Sequence, residues 1–494
     1  MPTKIPWTDE TWNVVTGCTP CSIGCTNCFA ARMAATRLKH HPRYEGLATI
    51  NDGKARWTGE VRLNHDVLEQ PLRWRKPRRV FVASMGDLFH KDIPDEFIAA
   101  VLGVMAASGQ IYQVLTKRAE RMYDLLGGQY AKAMAIKVDT YKHVALAGRI
   151  SEVFAAERTK PVKDWPGYFV TTRGRILSDR NHGGIRDASI VHEMRPQAST
   201  QGYSRVELQV NGSSFRPLIH RLVLESFDRP AKTGEQCCHI DGDATNNCLW
   251  NLRWGSQSNN WDDSKRHGTH RRYSKINAEQ VDEIHRRLKA GESAYAVAPD
   301  YNISGTQVRN IGRGDQWKPE YIPEWPLSLV WLGVSVENQA AADERREYLE
   351  QCPAAVKFVS YEPALGPVDW TGWEFVSQII SGGESGPGAR PSHPDWHRAT
   401  RDFCWENDIA YFFKQWGAWR ECLRSQETGW KYRLNDDHKT LLFMDDGRVI
   451  DYTTRTQIHG MGYLAMERVG KKAAGHLLDG REWQEFPVAD GALT

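Results

Sequence analysis

Four cysteines fall within eleven residues near the amino end of this chain, in Cys18-Thr19-Pro20-Cys21-Ser22-Ile23-Gly24-Cys25-Thr26-Asn27-Cys28. Short loops this crowded with thiols are rarely core packing. Thiolates are soft ligands, and the spacing suits a metal cluster. Zinc on all four is the other reading, although structural zinc pairs are usually split by a longer loop. Far downstream lies a second, unrelated set: His220, then Cys238-His239-Ile240-Asp241-Gly242-Asp243, Asn246-Asn247, Asn251 and Asn260. An imidazole that is neutral near pH 7 can take a proton from water, and amide and carboxylate oxygens suit a hard divalent cation. Two chemistries in one chain imply one machine threaded into another.

Each set needs a scaffold. Outside the middle of the chain, apolar runs alternate with amphipathic helical patterns. Expected strands are 11–16, 80–89, 111–118, 329–337, 356–362, 378–384 and 409–415, with helices over 95–107, 119–126, 339–351 and 394–407 between them. Such alternation predicts a parallel sheet covered by helices, open or closed as a barrel. The runs end in Asp87, Lys117-Arg118, Glu337-Asn338, Glu362, Glu384-Ser385 and Lys414-Gln415. In α/β barrels such strand ends gather on one face, so these charged and amide tips point to a shared site.

From about Arg158 to Pro319 the rhythm breaks into short polar strands, as over 202–210. Within this stretch, residues 160–318 hold 24 Lys/Arg against 18 Asp/Glu, a balance of +6 in a chain whose net charge is only +3. Its densest part, Lys265 to Lys275, contains no acid, as expected of a segment lying on phosphates or of a solvated linker. No Asn followed by Cys, Ser or Thr marks its downstream edge, which argues against self-splicing. At 494 residues, two or three domains are expected. No apolar run is long enough for a bilayer, and no signal-peptide core is apparent at the amino end. Ten cysteines without an export signal should stay reduced in the cytoplasm.

The downstream set closely resembles the HNH nuclease family of phage homing endonucleases, through His220-Arg221-Leu222-Val223, Cys238-His239, Asn246-Asn247, Asn251-Leu252-Arg253-Trp254 and Asn260. The resemblance covers about residues 163–263. It implies a β-hairpin and helix gripping one divalent metal, Mg²⁺ or a similar cation. His239 would be the general base, Asn260 a metal ligand, and Asn251 the residue that pins the loop. Cys238 stands where many members have Asp as second ligand, and a thiolate partners Mg²⁺ poorly. Trp165–Val170 with Arg173-Gly174-Arg175-Ile176 resembles a small module that often precedes such nucleases. Beyond the basic run, Ile303–Ile311 looks like the recognition helix of a helix-turn-helix unit. Arg271, Arg272, Ser304, Thr306, Gln307 and Arg309 are its candidate DNA contacts, and Pro299 is expected to shorten the preceding helix.

The cysteine loop resembles the radical S-adenosylmethionine enzymes, in which three thiolates leave one iron of a [4Fe–4S] cluster open. Together with Met85–Phe89, Leu115–Arg118, Trp331–Glu337, Gly382–Gly386 and Phe413–Gly417, it is similar to a phage family of the gp-thirty-seven/gp-sixty-eight type with a three-cysteine motif. That match spans about 1–126 and 325–417. It implies a trio of Cys18, Cys25 and Cys28, with Cys21 an extra; Cys21-x3-Cys25-x2-Cys28 is the other trio. Gly382, Gly383 and Glu384 would hold the methionine end of the cofactor, while a plain tight turn also explains the glycines.

The expected architecture is therefore α/β: a radical-SAM-like parallel (β/α) barrel, interrupted by an α+β HNH (ββα-metal) nuclease and a small helical DNA-binding unit. The boundaries are 1–158 for the first barrel part, 159–263 for the nuclease, 264–318 for the basic linker and helix-turn-helix, 319–417 for the second barrel part and 418–494 for an appendage with a hairpin at Asp445-Asp446-Gly447. The preferred function is metal-dependent hydrolysis of DNA in the host cell of a phage or prophage gene, with no membrane partner. One alternative is a radical enzyme carrying an inactive passenger. The other is a non-catalytic protein binding zinc and DNA.

Overall fold

The computed structural model describes residues 3, 5–180, 185–187, 189, 191–210, 212–266, 276, 278–313, 324–424, 439–444, 448–452 and 463–487. Arg271, Arg272 and the 445–447 turn lie outside them. The chain divides into two compact units, one of residues 1–142 with 325–494 and one of residues 143–324. The second unit thus begins earlier than the 159 read from the sequence. Ile150 and Val153, on the short helix Ile150–Val153, are buried, and that helix packs on the turn Leu249–Asn251.

The first unit is built on a seven-stranded sheet of Glu10–Trp12, Arg79–Val82, Ile111–Thr116, Val330–Ser335, Val356–Tyr361, Gln378–Gly382 and Ala410–Gln415, in that spatial order. Every pairing is parallel. Spatial order equals chain order, so each crossover steps the same way. With right-handed crossovers this curls the sheet into a half-barrel. Among the described residues, no pairing joins the first strand to the last. All six residues of Val330–Ser335 are buried, as a parallel strand covered on both faces requires.

Helices Asp95–Ser108, Ala119–Leu126, Gln339–Gln351 and Pro394–Glu406 match the expected stretches within a residue. Two expected strands are shorter than their apolar runs. Residues 80–89 leave the sheet after Val82, because Ala83 takes a left-handed φ of 54° and closes a turn with Gly86. Residues 11–16 split, since Val15–Thr16 pairs antiparallel with Arg62–Leu63 instead. Beyond the sheet, Trp419–Arg424, Tyr463–Arg468, Thr440–Met444 and Val449–Tyr452 form an antiparallel sheet, followed by the short basic helix Lys471–Ala474.

The second unit has its own core, including Tyr168, Val170, Ile176, Leu208, Leu222, Val223, Leu249 and Leu252. Each such aliphatic side chain contributes about 1.5–3 kcal/mol on burial. Over it lie an antiparallel sheet of His192–Glu193, Ile176–Ser178, Tyr168–Thr171 and Thr159–Pro161, and the helix Ile219–Phe227. The expected strand over 202–210 is instead two pieces: Ser204–Arg205 pairs with Gln197–Ala198, and Leu208–Val210 with Ser213–Phe215. A β-hairpin of Gln236–His239 and Leu252–Gly255 then leads into the helix Gln257–Arg266, giving the ββα order. Helices Ala278–Lys289, Ala294–Val297 and Gly305–Gly312 close on a separate cluster of Ile284, Val297, Val308 and Ile311. Pro299 brings the middle helix to an early end in the 3₁₀ turn Ala298–Tyr301.

Candidate functional site

Side chains alternate along the Gln236–His239 strand, so Cys237 and His239 face one way while Gln236 and Cys238 face the other. His239 is 8% exposed. Its ring stacks on Tyr203 at 5.9 Å and meets the edge of His220 at 5.2 Å. Nε2 lies 3.4 Å from Asn247 Oδ1, a long and weak contact. Burial lowers the His239 pKa, against the opposing pull of Asn247, Asp241 and Asp243, which keeps the imidazole neutral at pH 7. His220, buried on the helix behind it, is pushed down to about 3 by burial and by the neighbouring His239. It acts as packing for the catalytic candidate.

Asn251 is fully buried and clamps the loop that follows His239. Its Oδ1 accepts from Asp241 N at 2.9 Å, and its Nδ2 donates to Asp241 Oδ1 and to Asn246 O, both at 2.8 Å. These three bonds fix residues 241–246.

Asn260 sits on the Gln257–Arg266 helix, where its Nδ2 donates to Gln236 Oε1 at 3.1 Å. It lines an open cavity of about 470 Å³ with Gln236, Gln257, Trp261 and Ser264. Gln236 belongs to the strand face opposite His239, and no hydrogen bond or ring contact joins Asn260 to that imidazole. Cys238 is the position at which the resemblance expects a second ligand. Its side chain is 1% exposed, lies against Gly255, and is pushed up to about 11 by burial. Its cross-strand neighbour Arg253 is paired with Asp263 at 2.6 Å. A neutral thiol beside a guanidinium offers little to a hard cation. Among the described residues, no three His, Cys, Asp or Glu side chains gather around a point where a single ion could sit.

Of the candidate DNA contacts, Ser304 and Gln307 close a capping box that starts the Gly305–Gly312 helix. Their polar groups hold the start of the helix. Thr306 is exposed, and Arg309 lies over the Tyr295 ring at 5.2 Å.

In the first unit the strand tips converge on the cysteine loop. Asp87 accepts from Thr116 Oγ1 at 2.8 Å and Arg118 Nη1 at 2.7 Å, and Arg118 Nη2 reaches Thr19 O at 2.9 Å and Cys18 Sγ at 3.6 Å. Glu337 is fully buried and receives Lys117, Arg345 Nη1 at 3.1 Å and Ser22 Oγ at 2.9 Å. Gly24 packs on that carboxylate; a Cβ there would lie 2.5 Å from Glu337 Oε1. Glu384 accepts from Asn27 Nδ2 at 2.9 Å and from Arg390 Nη2 at 2.6 Å. Glu362 pairs with Lys414 at 2.7 Å.

Within the loop, a hydrogen bond from the Cys21 thiol holds Cys25 down at about 4. Burial raises Cys18 to about 11 and also raises Cys28, whose sulfur caps the helix Phe29–Ala35 by accepting from Ala31 N at 3.5 Å. Burial lowers Lys117, whose ammonium pairs with Glu337, while the Cys25 thiolate acts to raise it.

The Gly382-Gly383-Glu384 reading changes in detail. Gly383 is required by packing, since a Cβ would fall 2.1 Å from Trp416 O. Glu384 is already satisfied by Arg390 and Asn27. Ser22, Asn27, Arg345, Arg390 and Tyr203 escaped the sequence reading. Arg345 carried a signal: it lies on the inward stripe of its helix with Ala341, Ala342 and Leu349, so a charge there requires a buried partner.

The inserted unit thus carries a ββα arrangement, and the host unit a cysteine loop at the carboxyl ends of a parallel half-barrel. The profile of DUF5131, a protein family of unknown function, matches residues 2–175 and 265–487, and the chain belongs to that family. The unmatched gap holds the hairpin with His239. Over 142 residues the chain is 26% identical to the DNA endonuclease I-HmuI of Bacillus phage SP01, covering 28% of this chain and 72% of that protein. A solved structure titled "DNA binding and cleavage by the HNH homing endonuclease I-HmuI" is 22% identical and covers 32% of this chain and 91% of its own, at a TM-score of 0.20. Among the described residues, no helix is long and apolar enough to cross a membrane.

Proposed function

We propose that the inserted unit is a metal-dependent DNA endonuclease of the HNH type. The observation that carries this reading is a neutral His239 at the end of a ββα hairpin, its following loop locked by Asn251, in a chain with similarity to a phage DNA endonuclease. His239 Nε2 takes the proton of the attacking water, and the loose Asn247 contact yields that nitrogen to it. Tyr203 and His220 hold the ring's plane. Bound Mg²⁺ or Mn²⁺, held with DNA phosphate and water, would supply charge stabilisation at the leaving oxygen; Asn260, whose amide meets Gln236 on the strand face opposite His239, would have to turn from that bond to join it. DNA is held by the helical unit through Thr306, Arg309 and the basic run containing Arg271 and Arg272. Supercoiled plasmid incubated with the full chain and Mg²⁺ or Mn²⁺ should be nicked or cut. His239→Ala should lower that rate by at least about 100-fold while DNA retention at low salt survives. Undiminished cleavage by the variant removes His239 from the mechanism.

A second reading concerns the host unit, in which three strand tips bond directly to the cysteine loop and Arg118 stands 3.6 Å from the Cys18 sulfur. Soft thiol donors with nearby cations fit an iron–sulfur cluster held by three of Cys18, Cys21, Cys25 and Cys28. When bound, such a cluster supplies an electron for S-adenosylmethionine chemistry. Asp87, through Arg118, and Glu337, through Ser22 and Lys117, fix the loop's shape.

A further inference from the structure

The first unit carries a cavity of about 650 Å³ at the end of the strand Ala410–Gln415, lined chiefly by Lys414, Gln415, Lys471, Lys472, His476 and Gln484. Its wall is built rather than draped. Phe413 N donates to Trp483 O at 2.9 Å, Trp416 N to Gly475 O at 3.1 Å, and Trp416 Nε1 to Leu477 O at 2.8 Å. Asp479 is tied to Arg398 and Arg401. These bonds stitch the tail segment along the edge strand Ala410–Gln415 and fix the lysines over its end.

The charges do not balance. Glu362 is occupied by Lys414 at 2.7 Å and by Gln415 Nε2 at 3.3 Å, and His476 is paired with Glu482. Among the described residues, neither Lys471 nor Lys472 has an ion-pair partner. Burial and the Lys414 charge both lower the Lys471 pKa, and Glu362 opposes them only in part. Lys471 and Lys472 stand exposed at the rim of this open cavity, where a multiply charged anion would meet both ammonium groups. The volume exceeds that of a lone phosphate and falls in the range of nucleotide-sized sites. Gln415 and Gln484 add amide donors and acceptors of the kind that read a base edge.

We infer that this cavity binds a nucleoside di- or triphosphate, with Lys471 and Lys472 on the phosphates. The inference is independent of the nuclease reading.

Calorimetric titration of the full chain with ADP in EDTA, which silences any metal-dependent site, should give saturable binding. Inorganic pyrophosphate in a parallel titration separates the sources. Weaker binding than ADP assigns a role to the nucleoside, and equal binding assigns recognition to the phosphates alone. The double variant K471E/K472E should weaken ADP binding at least about tenfold. The control K76E/K132E, which makes the same charge change at exposed lysines outside the cavity, should shift it less than about twofold. On the unaltered chain, ADP should also protect Lys471 and Lys472 from acetylation, read by mass spectrometry. No saturable binding at millimolar ADP or pyrophosphate, equal loss in the control, or no protection of these lysines overturns the inference.

Discussion

The two polar centres of this molecule are assembled in opposite ways. Around His239, the partners Tyr203, His220 and Asn247 all lie between residues 203 and 247. Around the cysteine loop, the partners come from Asp87, Lys117, Glu337 and Glu384, which only the parallel sheet brings together. A local centre can move between proteins as a block, whereas a distributed one exists only while its whole sheet is folded. The gap at 176–264 in the family match fits that contrast.

The sharpest test of the distributed centre is metal content. Anaerobic reconstitution with iron and sulfide should give a brown protein, and the double variant Cys25→Ser/Cys28→Ser should lose nearly all of its iron while DNA cleavage persists. A colourless product with stoichiometric zinc would sink the cluster reading. On the local side, Asn251→Ala strips partners from the Asp241 amide, the Asp241 carboxylate and the Asn246 carbonyl. It should cost about 2–4 kcal/mol and speed hydrogen exchange across 241–246, leaving exchange in the half-barrel unchanged.

Acid should then separate the host unit from its variant. His397 is fully buried between Ser381 Oγ at 2.6 Å and Ser392 Oγ at 2.8 Å, and burial pushes it down to about 3. The unfolded chain binds that proton near pH 6.5, so this contribution is complete above that value and lost as pH falls toward 3. At pH 5 the loss is about 2 kcal/mol. The drop in thermal midpoint between pH 7.5 and 5 should be smaller in His397→Gln; an equal drop assigns the acid sensitivity elsewhere. The smallest effect expected is a gain. Cys238→Asp restores the acid that the HNH resemblance leads one to expect and should raise Mg²⁺-dependent cleavage by up to about tenfold. No change would mean that the Arg253–Asp263 pair already excludes the cation from that face.

This contrast also explains what could be read from the chain. The hairpin's His239, Asn251 and Asn260 lie within twenty-two residues of one another, so their spacing was visible. The sheet's strands were legible because buried parallel strands are nearly continuous apolar runs, as in Val330–Ser335. Their tips were legible as a group for the same reason. The partners were not: Asn27 meeting Glu384, or Ser22 meeting Glu337, is a product of crossovers that no spacing encodes. The apolar run 80–89 misled because a buried loop and a buried strand have the same composition, and the left-handed position of the turn is held by Ala83 rather than by a glycine. The opposed facing of His239 and Asn260 follows from strand alternation and the helix start, which fall below the resolution of a motif.

One feature of the half-barrel reaches into its biogenesis. Its third and fourth strands are hydrogen-bonded neighbours, Tyr112 opposite Val330, yet residues 117–329 separate them along the chain. A ribosome adding 5–20 residues per second keeps the amino-terminal strands waiting for about 10–40 s before their central neighbour emerges. Prompt folding of the intervening unit would shorten the tether, and a guest that folds slowly would leave its host with an open edge at the tunnel exit.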